Sequence, residues 1–181
     1  MPRIPLVTPE TIDARTAKMI SNGEGSDWQG VWNVTKTLAT APVALEIFFA
    51  IHRAMPRSSL TRHEREVIEL SMAVINGCHY CVPAHILGAR DGGLEESDIK
   101  AIVEGRAVTT PRLLVIQELL HALLETKGRL SDEDFADFQA RGVTAQQMIE
   151  VIADIAHCTL TNYTNRLANT DFDSFLEGVT V

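Results

Sequence analysis

Two thiols and an imidazole stand close together in the run Cys78-His-Tyr-Cys81-Val-Pro-Ala-His85. On a helix, Cys78 and Cys81 at spacing i, i+3 share one face and lie near enough to form and break a disulfide. A helix opening at Cys78 would set that thiol beside free backbone N–H groups and the positive end of the helix dipole, both of which favour thiolate. His85, four residues beyond Cys81, would stack over the second sulfur and take or return its proton. Glu66 precedes the pair on another apolar run, among Val67, Ile68, Leu70, Met72, Val74 and Ile75. Folding back around Gly77 would carry its carboxylate to His85, where it would orient the ring and support its basicity.

Plainer readings stand beside this one. Cys-x-x-Cys can be half of a zinc site, and Cys78, Cys81 and His85 with His79 or Glu66 form the alternative metal set. Structural zinc usually needs four protein ligands, however, and no second Cys-x-x-Cys or His-x-His cluster is present. Glu64 and Glu69 flank Glu66 as ordinary helix glutamates. Cys158, in an apolar segment with no cysteine nearby, reads as a buried inert thiol. His52, His63, His121 and His157 read as surface or hydrogen-bonded core residues. Asn162, Tyr163, Asn165 and Arg166 read as an exposed helix end or a subunit contact.

The positioning elements are all helical. Apolar residues recur at three- and four-residue spacing, and glycines and prolines fall where helices would start or stop. Thr8-Pro9 predicts a first helix fading at Asn22-Gly23, and a short one is expected from Trp28 to Leu38. A third from Pro42 to Met55 turns Leu45, Phe48, Phe49 and His52 to one side. Thr61 and Glu64 have the form of a capping box, heading a helix to about Asn76. Gly77 supplies a left-handed stop, Cys78 opens the next helix, and Pro83 is tolerated in or beside its first turn. Further helices are expected over Glu95–Val103, from Thr110-Pro111 to Gly128, from Ser131, and from a second capping box at Thr144 and Gln147 through Ile149, Ile152, Ile155 and Leu160. The tail beyond Asn169 is expected to be extended.

With 181 residues, 45% of them apolar and 22% charged, the chain suits one domain spanning 1–181, with the redox motif at 61–92. The formal net charge of −8 disfavours nucleic acid and anionic lipid as partners. Leu38 to Ile51 is interrupted by Glu46 and too short to span a bilayer, and residues 1–18 lack the apolar core of a secretory signal, so a cytoplasmic location is expected.

Glu66, then Cys78 twelve positions later, Tyr80-Cys81 and His85 together resemble the AhpD-like alkylhydroperoxidases of the carboxymuconolactone decarboxylase family. Arg3-Ile-Pro-Leu near the start and Asn162-Tyr-Thr-Asn-Arg-Leu-Ala-Asn-Thr170-Asp near the end resemble its flanking patterns. The resemblance implies an all-α, single-domain helical bundle assembling into a homo-oligomer, a trimer or hexamer. It also implies peroxide reduction, with Cys81 as the attacking thiolate, Cys78 as the resolving thiol, and His85 and Glu66 as the proton relay. Hydroperoxide and an external thiol or dithiol reductant would be the partners, with no cofactor and no metal. One departure stands out. Where the family's peroxidases carry a histidine just before the second cysteine, this chain has Tyr80, which cannot accept a proton near neutral pH. Tyr80 and His79 are the substrate-binding candidates. The alternatives are thiol–disulfide exchange without peroxide, a metal-binding structural or sensory module, and lactone decarboxylation, which does not depend on a cysteine pair.

Overall fold

The computed structural model describes residues 2–181, so Met1, counted in the expected 1–181 domain, lies outside the described residues. Among them are nine α-helices and no strands: α1 Ala14–Glu24, α2 Asn33–Leu38, α3 Pro42–Ala54, α4 Arg62–Ile75, α5 Cys81–Asp91, α6 Glu96–Val103, α7 Pro111–Thr126, α8 Asp132–Ala140 and α9 Ala145–Ala168. The expected all-α single-domain bundle is the fold observed.

Everything packs around α4. Val67 and Leu70 face α5, α6 and α7, Ile68 and Met72 enter the core built with α7, α8 and α9, and Ala73 meets the core of α1, α2 and α3. Because α4 is walled on every side, its glutamates are drawn into the interior with its apolar residues. Its start is fixed as expected: the Thr61 hydroxyl accepts from the Glu64 N–H, and the Glu64 carboxylate accepts from the Thr61 N–H. Gly77 then turns left-handed at φ 59° and sends the chain back along α4.

Four boundaries differ from expectation. Thr8 heads only a turn, and α1 begins at Ala14 because the Asp13 carboxylate accepts the N–H groups of Arg15 and Thr16. The Trp28–Leu38 helix is broken into a 3₁₀ turn at Trp28–Gly30 and α2, since the Trp32 and Asn33 N–H groups donate to Glu24 and Asp173 instead of continuing a helix. The helix expected from Cys78 begins at Cys81, after a turn closed by Cys81 N–H to the Cys78 carbonyl at 3.1 Å. The tail is extended apart from a 3₁₀ turn at Ser174–Leu176.

Of the apolar residues that mark α9 in the sequence, Ile155 and Leu160 are half-buried against the core. Ile149 and Ile152 are exposed, while the inward face carries Met148, Val151, Asp154, Cys158, Asn162 and Asn165. Polar residues on the buried stripe hid its direction from any count of apolar spacing. Among the described residues, no helix is long and apolar enough to cross a membrane.

Candidate active site

Cys78 and Cys81 are joined by a disulfide across the turn that opens α5, with Cα atoms 5.2 Å apart. Cys81, the first residue of α5, holds the helix N-terminus that the sequence pattern gave to Cys78. The dipole and the spacing to His85 therefore point to the same sulfur. Both cysteines are buried, but only Cys81 lines the neighbouring cavity of about 350 Å³. Its sulfur accepts the Asn165 Nδ2 donor from α9 at 3.4 Å, and Cys78 Sγ accepts the Cys81 N–H at 3.1 Å.

His85 lines the same cavity, one turn beyond Cys81, and its carboxylate partner is Glu69: Nδ1 to Oε2 is 3.3 Å. Glu66 is brought within 4.8 Å of the ring, as expected, but makes no hydrogen bond to it. Glu66 lies 3.8 Å from the Arg62 guanidinium, and its buried Oε2 has no hydrogen-bond partner. Burial and the nearby Glu69 charge push the Glu66 carboxyl up to about 7. For His85, burial works against the charged ring, but the Glu69 hydrogen bond and the Glu69 and Glu66 charges prevail and raise it above the usual imidazole range. Glu69 moves the opposite way. Burial opposes its charge, yet the bond to His85 holds its carboxyl below the usual range, so the two form an ion pair. Gly88, one turn past Ala84 on α5, makes room for Glu66: a Cβ there would stand 3.0 Å from Oε2.

Tyr80 is buried at the cavity edge, where its hydroxyl donates to Asp173 and accepts the Val34 N–H at 3.4 Å. Burial and the Asp173 contact raise the phenol well above its usual range, so it serves as a neutral donor. His79 does not reach the cavity. Its Nε2 meets the Thr170 carbonyl at 2.9 Å and its ring packs edge-on against Phe172, so it binds the C-terminal tail instead of a substrate. The alternative metal set is likewise not assembled, its two sulfurs being bonded to each other and His79 turned away.

The remaining cavity wall combines apolar Trp32, Val34, Phe48 and Ala84 with His52 and His157. Phe48 stacks on both imidazoles, at 5.4 and 5.6 Å between ring centroids. Burial holds both histidines below their usual range, so they are neutral near pH 7. Glu69, Asn165, His52 and His157 are thus site residues that the sequence reading passed over. For Glu69 a signal existed: Glu66 and Glu69 at i, i+3 share one face of α4. Asn165, 84 residues from Cys81, lies in the late stretch that resembles the family's flanking pattern, but that resemblance gave it no role at the sulfur.

Residues 42–128 match the model of the carboxymuconolactone decarboxylase family. No curated protein matches the chain in sequence. Among solved structures, the alkylhydroperoxidase AhpD core, peroxidase-related protein of Ralstonia eutropha JMP134 superposes with a TM-score of 0.82 at 22% identity, over 97% of this chain and 94% of its own. A peroxidase-related protein of Silicibacter sp. TM1040 does so with 0.78 at 19%, over 97% and 93%. The debrominase Bmp8 follows with 0.74 at 17%, over 98% and 95%, and it also has a structure in complex with 2,3,4-tribromopyrrole. At these identities the likeness is one of fold. The matching segment spans the cysteine pair, Glu66, Glu69 and His85, so the part of this chain that carries the site is similar to the carboxymuconolactone decarboxylase family.

Proposed function

We propose that the protein is a thiol-dependent peroxidase whose working sulfur is Cys81. One observation carries the reading: of the two disulfide-bonded cysteines, only Cys81 opens onto a cavity, and it does so beside an imidazole held charged by a half-buried carboxylate. In the reduced enzyme, the α5 N-terminus, the Asn165 amide and the His85 imidazolium all favour Cys81 as thiolate. The thiolate attacks the terminal oxygen of a hydroperoxide and the O–O bond breaks. Sulfur becomes sulfenic acid, and the departing alkoxide takes a proton from His85. Cys78 then attacks that sulfur, water leaves, and the disulfide forms. An external thiol or dithiol returns two electrons, regenerating both thiols. Glu69 acts by keeping His85 charged, Glu66 is a nearby proton store, and Tyr80, with its hydroxyl donating to Asp173, shapes the cavity edge.

An apolar cavity wall with Trp32 and Phe48 also suits a small aromatic electrophile, and a debrominase shares the fold. Reductive dehalogenation by the same thiolate is the second reading. Assembly is proposed on α9, whose outward stripe leaves Ile149, Ile152, Tyr163 and Leu167 exposed and unpartnered, as a homo-oligomer contact would use them.

The test follows hydroperoxide loss, and halide release from a bromopyrrole, with a dithiol supplied. Wild type should consume hydroperoxide, Cys81→Ser should be inactive, and Cys78→Ser should stop after one turnover with a trappable sulfenic acid. Unchanged turnover in Cys81→Ser rejects the assignment. Halide release without hydroperoxide loss transfers it to the second reading. Disulfide exchange with a protein substrate, without either, makes the pair an oxidoreductase.

A further inference from the structure

Behind the redox cavity, α9 carries a carboxylate, an imidazole and a thiol on one face, at Asp154, His157 and Cys158. Spacing i, i+3, i+4 turns all three the same way, and one donor atom from each lies within 4.8 Å of the others. His157 Nδ1 and Asp154 Oδ1 are 3.8 Å apart. The exposures are 0% for Asp154, 7% for His157 and 1% for Cys158. Neither Asp154 oxygen and neither His157 nitrogen has a hydrogen-bond partner. Buried polar atoms are almost always satisfied, so four orphans on two adjacent side chains mark a place where a partner belongs. A proton on Asp154 would remove its charge yet leave both imidazole nitrogens bare.

We infer that Asp154, His157 and Cys158 form a binding site for a divalent transition-metal ion of the zinc class. Oxygen, nitrogen and sulfur donors together suit a borderline-soft cation such as Zn²⁺, and three protein ligands leave a fourth position for water. His157 lines the cavity, which gives the ion its way in. Glu69, across on α4, acts electrostatically on all three donors, but its pairing with His85 balances its charge, so the ion is held by the three donors themselves. Binding displaces the Cys158 thiol proton, and that of Asp154 where present, to solvent through the cavity. No electron is transferred, and the site does not depend on the peroxidase reading.

The chain has three cysteines, so in the double variant Cys78→Ser/Cys81→Ser any thiolate–metal signal belongs to Cys158. That variant is titrated with Co²⁺ and then Zn²⁺, by absorption and calorimetry. One Co²⁺ per chain is expected, with a sulfur-to-metal charge-transfer band that Zn²⁺ abolishes by displacement. Adding Asp154→Asn should weaken binding at least tenfold, and adding Cys158→Ser should remove the band. Should Cys158→Ser fail to fold, the spectrum of the double variant still decides, because it needs no change on α9. No saturable binding, or binding without the band and indifferent to Asp154→Asn, overturns the site. Loss of peroxide turnover in the double variant is expected on the peroxidase reading and bears on that reading alone.

Discussion

Two carboxylate–histidine pairs, one half-buried and one buried, lie near the same cavity, and they have been treated differently by the fold. Glu69 and His85, from α4 and α5, meet at 3.3 Å as an ion pair. Asp154 and His157, both on α9, stand 3.8 Å apart with none of their four side-chain donor and acceptor atoms hydrogen-bonded. The difference is geometric. An antiparallel helix pair can bring two side chains head-on, whereas residues at i, i+3 on one helix run side by side and present their atoms to a third party. The first arrangement fixes a charge beside Cys81, and the second leaves a set of donors open.

The strongest way to break this contrast is to remove the charge from the first pair. His85→Ala should lower peroxide turnover by about 10²-fold or more, the usual span for a proton-transfer group. Glu69→Gln should cost about 10- to 100-fold and also move the pH profile. Turnover that needs the imidazolium falls as pH rises through the His85 pKa. Since the Glu69 hydrogen bond and charge raise that pKa, the variant's alkaline fall should come at lower pH than in wild type. A Glu69→Gln enzyme with an unshifted profile removes Glu69 from the relay.

Next in size is Glu66, a buried carboxyl pushed up to about 7 against 4.5 for an unperturbed group. The folded state binds this proton more tightly than the unfolded chain does. Its effect on stability is therefore nil below about pH 4.5 and grows increasingly unfavourable as pH rises to 7, where it levels off. A rise of this size corresponds to about 3 kcal/mol. Glu66→Gln should flatten that descent, so that denaturant melts at pH 8 show the variant more stable than wild type by up to that amount. Equal stability at pH 5 and pH 8 relative to wild type would place the Glu66 charge in water.

The contrast also explains what the chain revealed before its structure was known. Capping chemistry is local, so Thr61 with Glu64, Thr144 with Gln147 and left-handed Gly77 were legible, and with them the limits of α4 and α9. The cysteine pair and His85 were legible for the same reason, all lying within one turn and the helix it opens. The partner of His85 was not. Glu66 and Glu69 share a face of α4, and which of them meets the ring depends on how α5 packs, a tertiary fact that spacing does not carry. Asn165, His157 and Asp154 reach the site along α9 from the far end of the chain. They occupy its buried stripe, so that stripe is not marked by apolar residues alone.

Asn165 gives the weaker chemical test. Its Nδ2 donates to Cys81 Sγ at 3.4 Å, and it has no charge of its own. Asn165→Ala should raise the pKa of the reduced Cys81 thiol by about one unit, the equivalent of a single hydrogen bond to an anion. The rate of alkylation against pH, measured in a Cys78→Ser background, reads that shift directly. A thiol pKa equal to that of the parent would show that the helix terminus and His85 set the thiolate without α9.

The smallest effect is expected on the outward side of α9, where the contrast is between neighbours in sequence. Val151 is fully buried and Ile152 is 43% exposed. Val151→Ala leaves a void in the core shared with α4 and α7 and should cost about 2 kcal/mol in the isolated chain. Ile152→Ser, which empties nothing in the core, should stay within about 0.5 kcal/mol. If copies of the chain meet on this stripe, the order changes with concentration: melting of Ile152→Ser should fall below wild type as protein concentration rises, while the Val151→Ala deficit should hold constant. A deficit at Ile152 that ignores concentration would assign the residue to the interior of a single chain, and one that is absent at every concentration would take this stripe out of any assembly.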